Sequence, residues 1–156
     1  MLIHLIRHGH AGNRGAWIGE DADRPLTEKG LWQAEAIAEA LASEPMDLLW
    51  TSFYVRCRET MVPLAARLDL PVVDHPHLAE GAYGTDALDA LLTEAAAGRM
   101  VAACSHGDVI PEILQAAVRR GATLDGPADP RKGARYVLNV VDGAVTHITH
   151  HPRPEA

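Results

Sequence analysis

The sequence predicts an α/β chain: a three-layer α/β/α sandwich around a mostly parallel, six-stranded sheet. Three observations predict it. Short apolar runs of strand length alternate with longer segments of helical periodicity. Helix-starting and helix-stopping residues flank those longer segments. Near the C-terminal end, Asp142-Gly143 separates two strand-like runs, the pattern of a tight hairpin. Strand–helix alternation of this kind lays successive strands parallel, with helices on both faces.

Taken in chain order, Leu2–Ile6 reads as a buried strand. Thr27 is placed to cap a helix whose apolar face is Leu31, Ala34, Ile37, Ala38 and Leu41. Asp47–Thr51 is the second strand. Val55–Leu68 is the second helix, which Pro63 is expected to kink or split. Pro71–Asp74 is a short third strand. Thr85 is expected to cap a helix over Asp86–Ala97, ended by Gly98. Met100–Ser105 is the fourth strand. Asp108 is expected to cap a helix running to about Arg120, with Pro111 in its first turn and Gly121 after it. Tyr136–Val141 and Val145–His150 form the hairpin, and residues from about 151 to 156 read as a tail.

Length and composition bound the function. The chain has 156 residues, which fits a single domain over residues 1–156. Apolar residues make up 47% and aromatics only 4%, so aliphatics and alanine must build the core. The formal charge of −7 argues against a broad nucleic-acid footprint, although a small anion needs only a local cluster of Arg and His. No basic segment precedes a hydrophobic run and no apolar stretch reaches transmembrane length. Cys57 and Cys104 are the only cysteines, which fits reduced core thiols rather than a disulfide framework. These features predict a cytoplasmic protein with no membrane partner.

In an α/β fold, sites form at the carboxyl ends of the strands. Three such ends carry unusual residues: Arg7-His8-Gly9 after the first strand, Ser52 to Arg56 after the second, and Ser105-His106-Gly107-Asp108 after the fourth. Two arginines and two histidines at neighbouring strand ends would make a cationic pocket suited to a phosphoryl dianion. Arginine forks bind its oxygens in pairs, and histidines add single hydrogen bonds. A neutral imidazole is a competent nucleophile, and neighbouring arginine charges keep it neutral. Positioning and electrostatics then supply the rest, without a metal or cofactor.

Together these segments resemble the histidine phosphatase superfamily, the phosphoglycerate-mutase-like fold. Arg7-His8-Gly9, Arg56 with Glu59-Thr60, and Ser105-His106-Gly107 match its signature, and Leu26-Thr27 with Gly30 and Gln33-Ala34 matches its first helix. The resemblance spans Leu2 to about Val145. It implies six strands with the first and fourth adjacent, which would set His8 beside His106. It also implies that His8 is the phosphohistidine nucleophile and that Arg7, Arg56 and His106 hold the phosphoryl oxygens. Glu80, in Leu78-Ala79-Glu80-Gly81, takes the place of the family's acid, with Asp108 the next candidate. A carboxyl beside a phosphate dianion tends to keep its proton, as a donor must.

The chain departs from the common pattern at His10-Ala11-Gly12-Asn13-Arg14, where His10 stands in a glutamate's place and Arg14 in an asparagine's. That run, with Arg24-Pro25-Leu26-Thr27, is more similar to a short branch that includes SixA-type phosphohistidine phosphatases and phosphatase domains fused to Nudix hydrolases. Arg14 is a candidate third phosphate ligand, and Lys132 and Arg135 are basic residues that could face substrate. The expected activity is a metal-independent phosphohydrolase acting on a phosphomonoester, a nucleotide or a phosphoprotein, rather than a mutase with lid insertions. The alternative is a non-catalytic module of the same fold that binds phosphorylated ligands. A third reading, metal binding by His8, His10 and His106, matches no known ligand spacing.

Overall fold

The computed structural model describes residues 1–155. Its strands are β1 (Leu2–Arg7), β2 (Leu48–Thr51), β3 (Val72–Asp74), β4 (Val101–Ser105), β5 (Thr123–Asp125), β6 (Arg135–Val141) and β7 (Ala144–His151). Its helices are α1 (Glu28–Leu41), α2 (Val55–Leu68), α3 (Gly84–Ala96) and α4 (Val109–Arg119), with short 3-10 turns at Arg14–Ala16, Asp21–Asp23 and Pro76–Leu78.

All seven strands form one sheet in the order β3-β2-β4-β1-β6-β7-β5. The β1, β2, β3 and β4 half is parallel. β6 runs antiparallel to β1 and β7, and β5 pairs parallel to β7. The sheet is therefore mixed and seven-stranded, where six mostly parallel strands are expected. The unforeseen strand, β5, has three residues with no buried side chain, so it leaves no apolar run to read. The expected tail also begins later, because His150 and His151 pair with Tyr136 and Arg135 in the ladder.

Side-chain alternation along β1 sets the layers. Ile3 and Leu5 join Val101 and Ala103 in packing against α3 and α4, through Leu88, Leu91, Ile110 and Ile113. Ile6 joins Leu49, Ala102 and Cys104 in packing against α1 and α2, through Ile37, Leu41, Met61 and Leu64. Each fully buried Leu or Ile contributes roughly 1.5–3 kcal/mol. Cys57 and Cys104 both lie in this second core, with free thiols.

Three helix details differ from expectation. Pro63 lies inside a continuous α2, whose buried face of Cys57, Met61 and Leu64 holds the helix together across it. α3 starts at Gly84, before Thr85, because a distant group replaces the local cap. The Gly84 N–H donates to Glu112 Oε1 of α4 at 3.0 Å. A Cβ on Gly84 would lie 2.3 Å from that of Glu112, so only glycine permits this docking. Asp108 precedes α4 but makes no side-chain cap, because its carboxylate is used elsewhere. No helix among the described residues is long and apolar enough to cross a membrane.

Candidate active site

The pairing of Arg7 with Ser105 in the β1–β4 ladder brings the first and fourth strand ends together. The His8 N–H continues the ladder, donating to the Ser105 carbonyl at 3.2 Å. The chain then passes through Gly9, whose N–H donates to Thr60 Oγ1 at 3.0 Å, and Thr60 donates onward to the Arg56 carbonyl at 2.6 Å. Glycine is required here by close approach rather than by a left-handed turn. A Cβ on Gly9 would lie 2.9 Å from the Gly30 carbonyl oxygen, and one on Gly30 would lie 2.0 Å from that of His10. Glu59 accepts from the Leu26 N–H at 2.9 Å, so the Glu59-Thr60 pair fixes the backbone on both sides of the site.

His8 is buried, and its Nδ1 lies 2.8 Å from the Gly9 carbonyl. A carbonyl only accepts, so Nδ1 carries the proton and Nε2 keeps its lone pair. Burial pushes the imidazole pKa down to about 2, helped by His106, Arg56 and Arg7 and opposed by the Gly9 bond. The ring is thus a neutral base of fixed tautomer.

His8 lines a cavity of about 540 Å³ together with Arg7, Arg14, Arg24, Arg56, Glu80, His106, Asp108, Asp129 and Lys132. The Arg7 guanidinium donates from Nη1 to the Pro130 carbonyl at 2.6 Å and lies flat on Gly107. A Cβ at position 107 would come within 2.7 Å of Arg7 Cζ, so Gly107 makes room for the guanidinium. Burial pushes the Arg7 pKa down. Arg56 is 1% exposed and donates to the backbone carbonyl and carboxylate of Asp21 at 3.0 and 3.1 Å, with its guanidinium 4.8 Å over the Tyr54 ring. The His106 ring lies 5.4 Å from that of His8, edge to face. Its Nε2 is 2.8 Å from Ser52 Oγ and 3.5 Å from Cys57 Sγ. Three buried nitrogens in this group, Nε of Arg7, Nε of Arg56 and Nδ1 of His106, have no partner among the described residues.

Glu80 reaches the same cavity from the loop after β3. That loop is pinned to the β4–α4 junction twice: Ser105 Oγ donates to the Leu78 carbonyl at 2.7 Å, and the Gly81 N–H donates to Asp108 Oδ2 at 2.8 Å. This second bond is where the expected helix cap goes. Glu80 Oε1 accepts from Arg14 at 2.7 Å and lies 3.5 Å from Arg56.

The structure brings all six expected residues, Arg7, His8, Arg14, Arg56, Glu80 and His106, to one cavity, and adds Lys132. It does not bring Arg135, which lines a separate hollow with Ala36, Ile37 and His151. Nor does it bring His10, whose Nδ1 is 2.7 Å from Thr27 Oγ1.

Two residues escape sequence reasoning. Asp21 binds three arginines: Arg24 at 3.0 Å, Arg56 at 3.1 Å and Arg14 at 3.3 Å. Burial disfavours its charge, but the Arg24 bond and the other two guanidinium groups outweigh that and hold its carboxyl below the usual range. Arg24 is itself buried and donates to the Ala11 carbonyl at 2.6 Å. The signal was the Asp-x-x-Arg spacing just before Pro25-Leu26-Thr27, which closes a one-turn ion pair.

Comparison with known proteins accords with this geometry. The profile of the Histidine phosphatase superfamily (branch 1) matches residues 3–87. The 8-oxo-(d)GTP phosphatase of Mycolicibacterium smegmatis is 33% identical over 156 residues, covering 98% of this chain. The chain spans 48%, about half, of that relative's length. The protein histidine phosphatase SixA complexed with tungstate superposes with a TM-score of 0.72 at 20% identity, covering 97% of this chain and 94% of that one. The mycobacterial glucosyl-3-phosphoglycerate phosphatase Rv2419c superposes with a TM-score of 0.68 at 18% identity, covering 97% of each chain. These two likenesses show a shared fold. The chain belongs to the histidine phosphatase superfamily, branch 1.

Proposed function

We propose that this chain hydrolyses phosphate monoesters of small molecules, without a metal, through a phosphohistidine formed on His8. The observation that carries this reading is the His8 ring: neutral, with Nδ1 bound to the Gly9 carbonyl and Nε2 left as the nucleophile, in a cavity lined by arginines.

In the first step, Nε2 attacks phosphorus and the bond to the leaving oxygen breaks. Arg7, Arg56 and His106 hold the phosphoryl oxygens, and their unpartnered buried nitrogens support that role, because an oxyanion satisfies such donors. Charge that a metal ion would otherwise neutralise is met by the Arg7 and Arg56 guanidinium groups. Glu80, which accepts from Arg14, takes up a proton as the entering phosphoryl dianion claims the arginines, and gives that proton to the departing alkoxide. In the second step, water attacks the phosphohistidine, Glu80 takes the water's proton, and inorganic phosphate leaves with His8 neutral again. Asp108 acts through Glu80 by fixing its loop.

The mycobacterial relative's name supports a phosphorylated nucleotide as a substrate class. The name of the SixA structure supports a phosphohistidine protein as the competing one. Glu80 favours a nucleotide monoester over a phosphohistidine, because an alkoxide needs an acid and a phosphohistidine's leaving group needs it less. Turnover of p-nitrophenyl phosphate in EDTA tests the activity and its metal independence. Turnover undiminished by the chelator is expected. Binding without turnover would return the chain to the role of a phospho-ligand module.

A further inference from the structure

A second and larger cavity, about 1170 Å³, adjoins the phosphate-sized one and shares Arg7, Asp129 and Lys132 with it. Its far walls bring Lys29 from α1 and Arg131 from the loop before β6, with Arg153 beyond β7. The shared wall is rigid. The Tyr136 hydroxyl donates to the Pro127 carbonyl at 2.5 Å, Arg7 to the Pro130 carbonyl at 2.6 Å, and the Gly133 N–H to the His8 carbonyl at 2.9 Å. The two cavities are therefore held in fixed register by the same loop.

The charge balance of this cleft runs against that of the chain. The whole sequence carries −7, yet Lys29, Arg131, Lys132 and Arg153 face only Asp129 and Glu155 here. Glu155 is already paired with Arg153 at 3.1 Å. His10 registers the resulting positive field, and Lys132, on the shared wall, registers that of the arginines in the adjoining phosphate-sized cavity. The His10 pKa is pushed down by burial and then by Lys132, Lys29 and Arg153. That of Lys132 is pushed down by burial and then by Arg7, Arg24, Arg56 and Arg14. Uncompensated cations inside a concavity that opens onto a reactive centre are a site for an anion.

We infer that the substrate carries a second phosphate, distinct from the one transferred, and that Lys29, Arg131 and Lys132 bind it in this cleft. The inference rests on the reading of His8 as the phosphoryl acceptor and narrows its substrate class to small molecules with two phosphates. The cleft is large enough for a ligand of nucleotide size. The ring of His10 and the faces of Pro127, Pro130 and Pro152 offer flat surfaces for the rest of the molecule. A phosphohistidine on a protein surface supplies no second phosphate at a fixed distance, so it leaves these cations without a purpose.

The test compares wild type with Lys29→Ala/Arg131→Ala; both side chains are exposed, so the fold tolerates their loss. Phosphate release is measured from ADP, adenosine 3′,5′-bisphosphate, AMP and p-nitrophenyl phosphate. Wild type should prefer adenosine 3′,5′-bisphosphate over AMP, both of them monoesters, by about tenfold or more in kcat/KM, and the double variant should erase most of that preference; ADP, whose terminal phosphate is an anhydride, is compared between wild type and the double variant. The same preference should appear as binding, by calorimetry of ADP against AMP on His8→Ala protein, where nothing turns over. Equal handling of AMP and the doubly phosphorylated ligands in both assays would overturn the inference. So would a preference that survives the double variant, or a phosphohistidine protein that outruns every small molecule in both proteins. Activity retained in His8→Ala would instead sink the nucleophile, while a binding preference lost with Lys29 and Arg131 would leave the cleft assignment standing.

Discussion

The carboxylate of Asp21 and the guanidinium of Arg56 meet 3.1 Å apart, and the Asp21 carbonyl takes a second hydrogen bond from the same guanidinium at 3.0 Å. Arg56 is thereby anchored from the loop before α1, while Arg14 and Arg24 approach the same carboxylate. Asp21 is a positioning residue in this arrangement. Asp21→Asn should lower kcat/KM for p-nitrophenyl phosphate by about tenfold to a hundredfold, the range of one to two charge-assisted hydrogen bonds. The loss should fall mainly in KM. An unchanged KM in steady-state kinetics would mean that Arg56 holds its place without this anchor.

Gly107 should tolerate no side chain. The Cβ of Gly107→Ala would lie 2.7 Å from Arg7 Cζ, and Arg7 is held from the other side by Pro130. Displacing that guanidinium should lower kcat/KM by about a hundredfold or more, because a misplaced group loses its catalytic effect. Thermal unfolding should change by far less than loss of the core would cause. A fully active Gly107→Ala enzyme would show that Arg7 need not lie flat on this glycine.

Glu80 should matter in proportion to leaving-group basicity. A positioned acid typically contributes about 10²–10⁴-fold when the leaving group is a poor one. Glu80→Gln should therefore slow alkyl phosphates strongly and p-nitrophenyl phosphate mildly. The readout is kcat/KM across phosphates of rising leaving-group pKa. A flat defect across the series would remove Glu80 as the acid, and Asp108 would be tested in the same way.

Much of this site was legible in the sequence because strand ends are. Arg7, His8, Arg56 and His106 each follow a short apolar run, and parallel α/β topology gathers such ends at one edge. What was not legible depends on contacts between distant segments. Asp108 looked like a helix cap because a capping pattern is local, whereas its partner, Gly81, comes from another loop. Thr85 misled for the same reason, since Glu112 of α4 supplies the acceptor at the start of α3. Asp21 sits in a loop with no periodicity, and only the folded backbone shows it beneath Arg56. β5 carries no strand pattern in the sequence, because Thr123 and Asp125 are exposed and Leu124 is only partly buried.

Stability should fall in acid before carboxylates dominate. His4 is buried in β1 with an unpartnered Nδ1, and burial pushes its pKa down to about 4, while that of His8 falls to about 2. Both bind protons more weakly folded than unfolded, so their neutral forms support the fold fully above about pH 6.5. As pH falls below that value the unfolded chain takes up the protons, and each histidine removes about 1.4 kcal/mol per pH unit until its folded value is reached. Urea unfolding between pH 7 and 4.5 should show this slope. His4→Gln should reduce it by about 1.4 kcal/mol per pH unit, and an unchanged slope would show that His4 is not buried as a neutral base.

The most direct test is phosphoenzyme trapping. Wild type is mixed with ³²P-labelled substrate, quenched in alkali within milliseconds and digested for mass spectrometry. The expected result is an acid-labile, alkali-stable phosphate on the peptide bearing His8, absent from His8→Ala. Label on another residue, or phosphate turnover by His8→Ala within tenfold of wild type, would contradict the central claim.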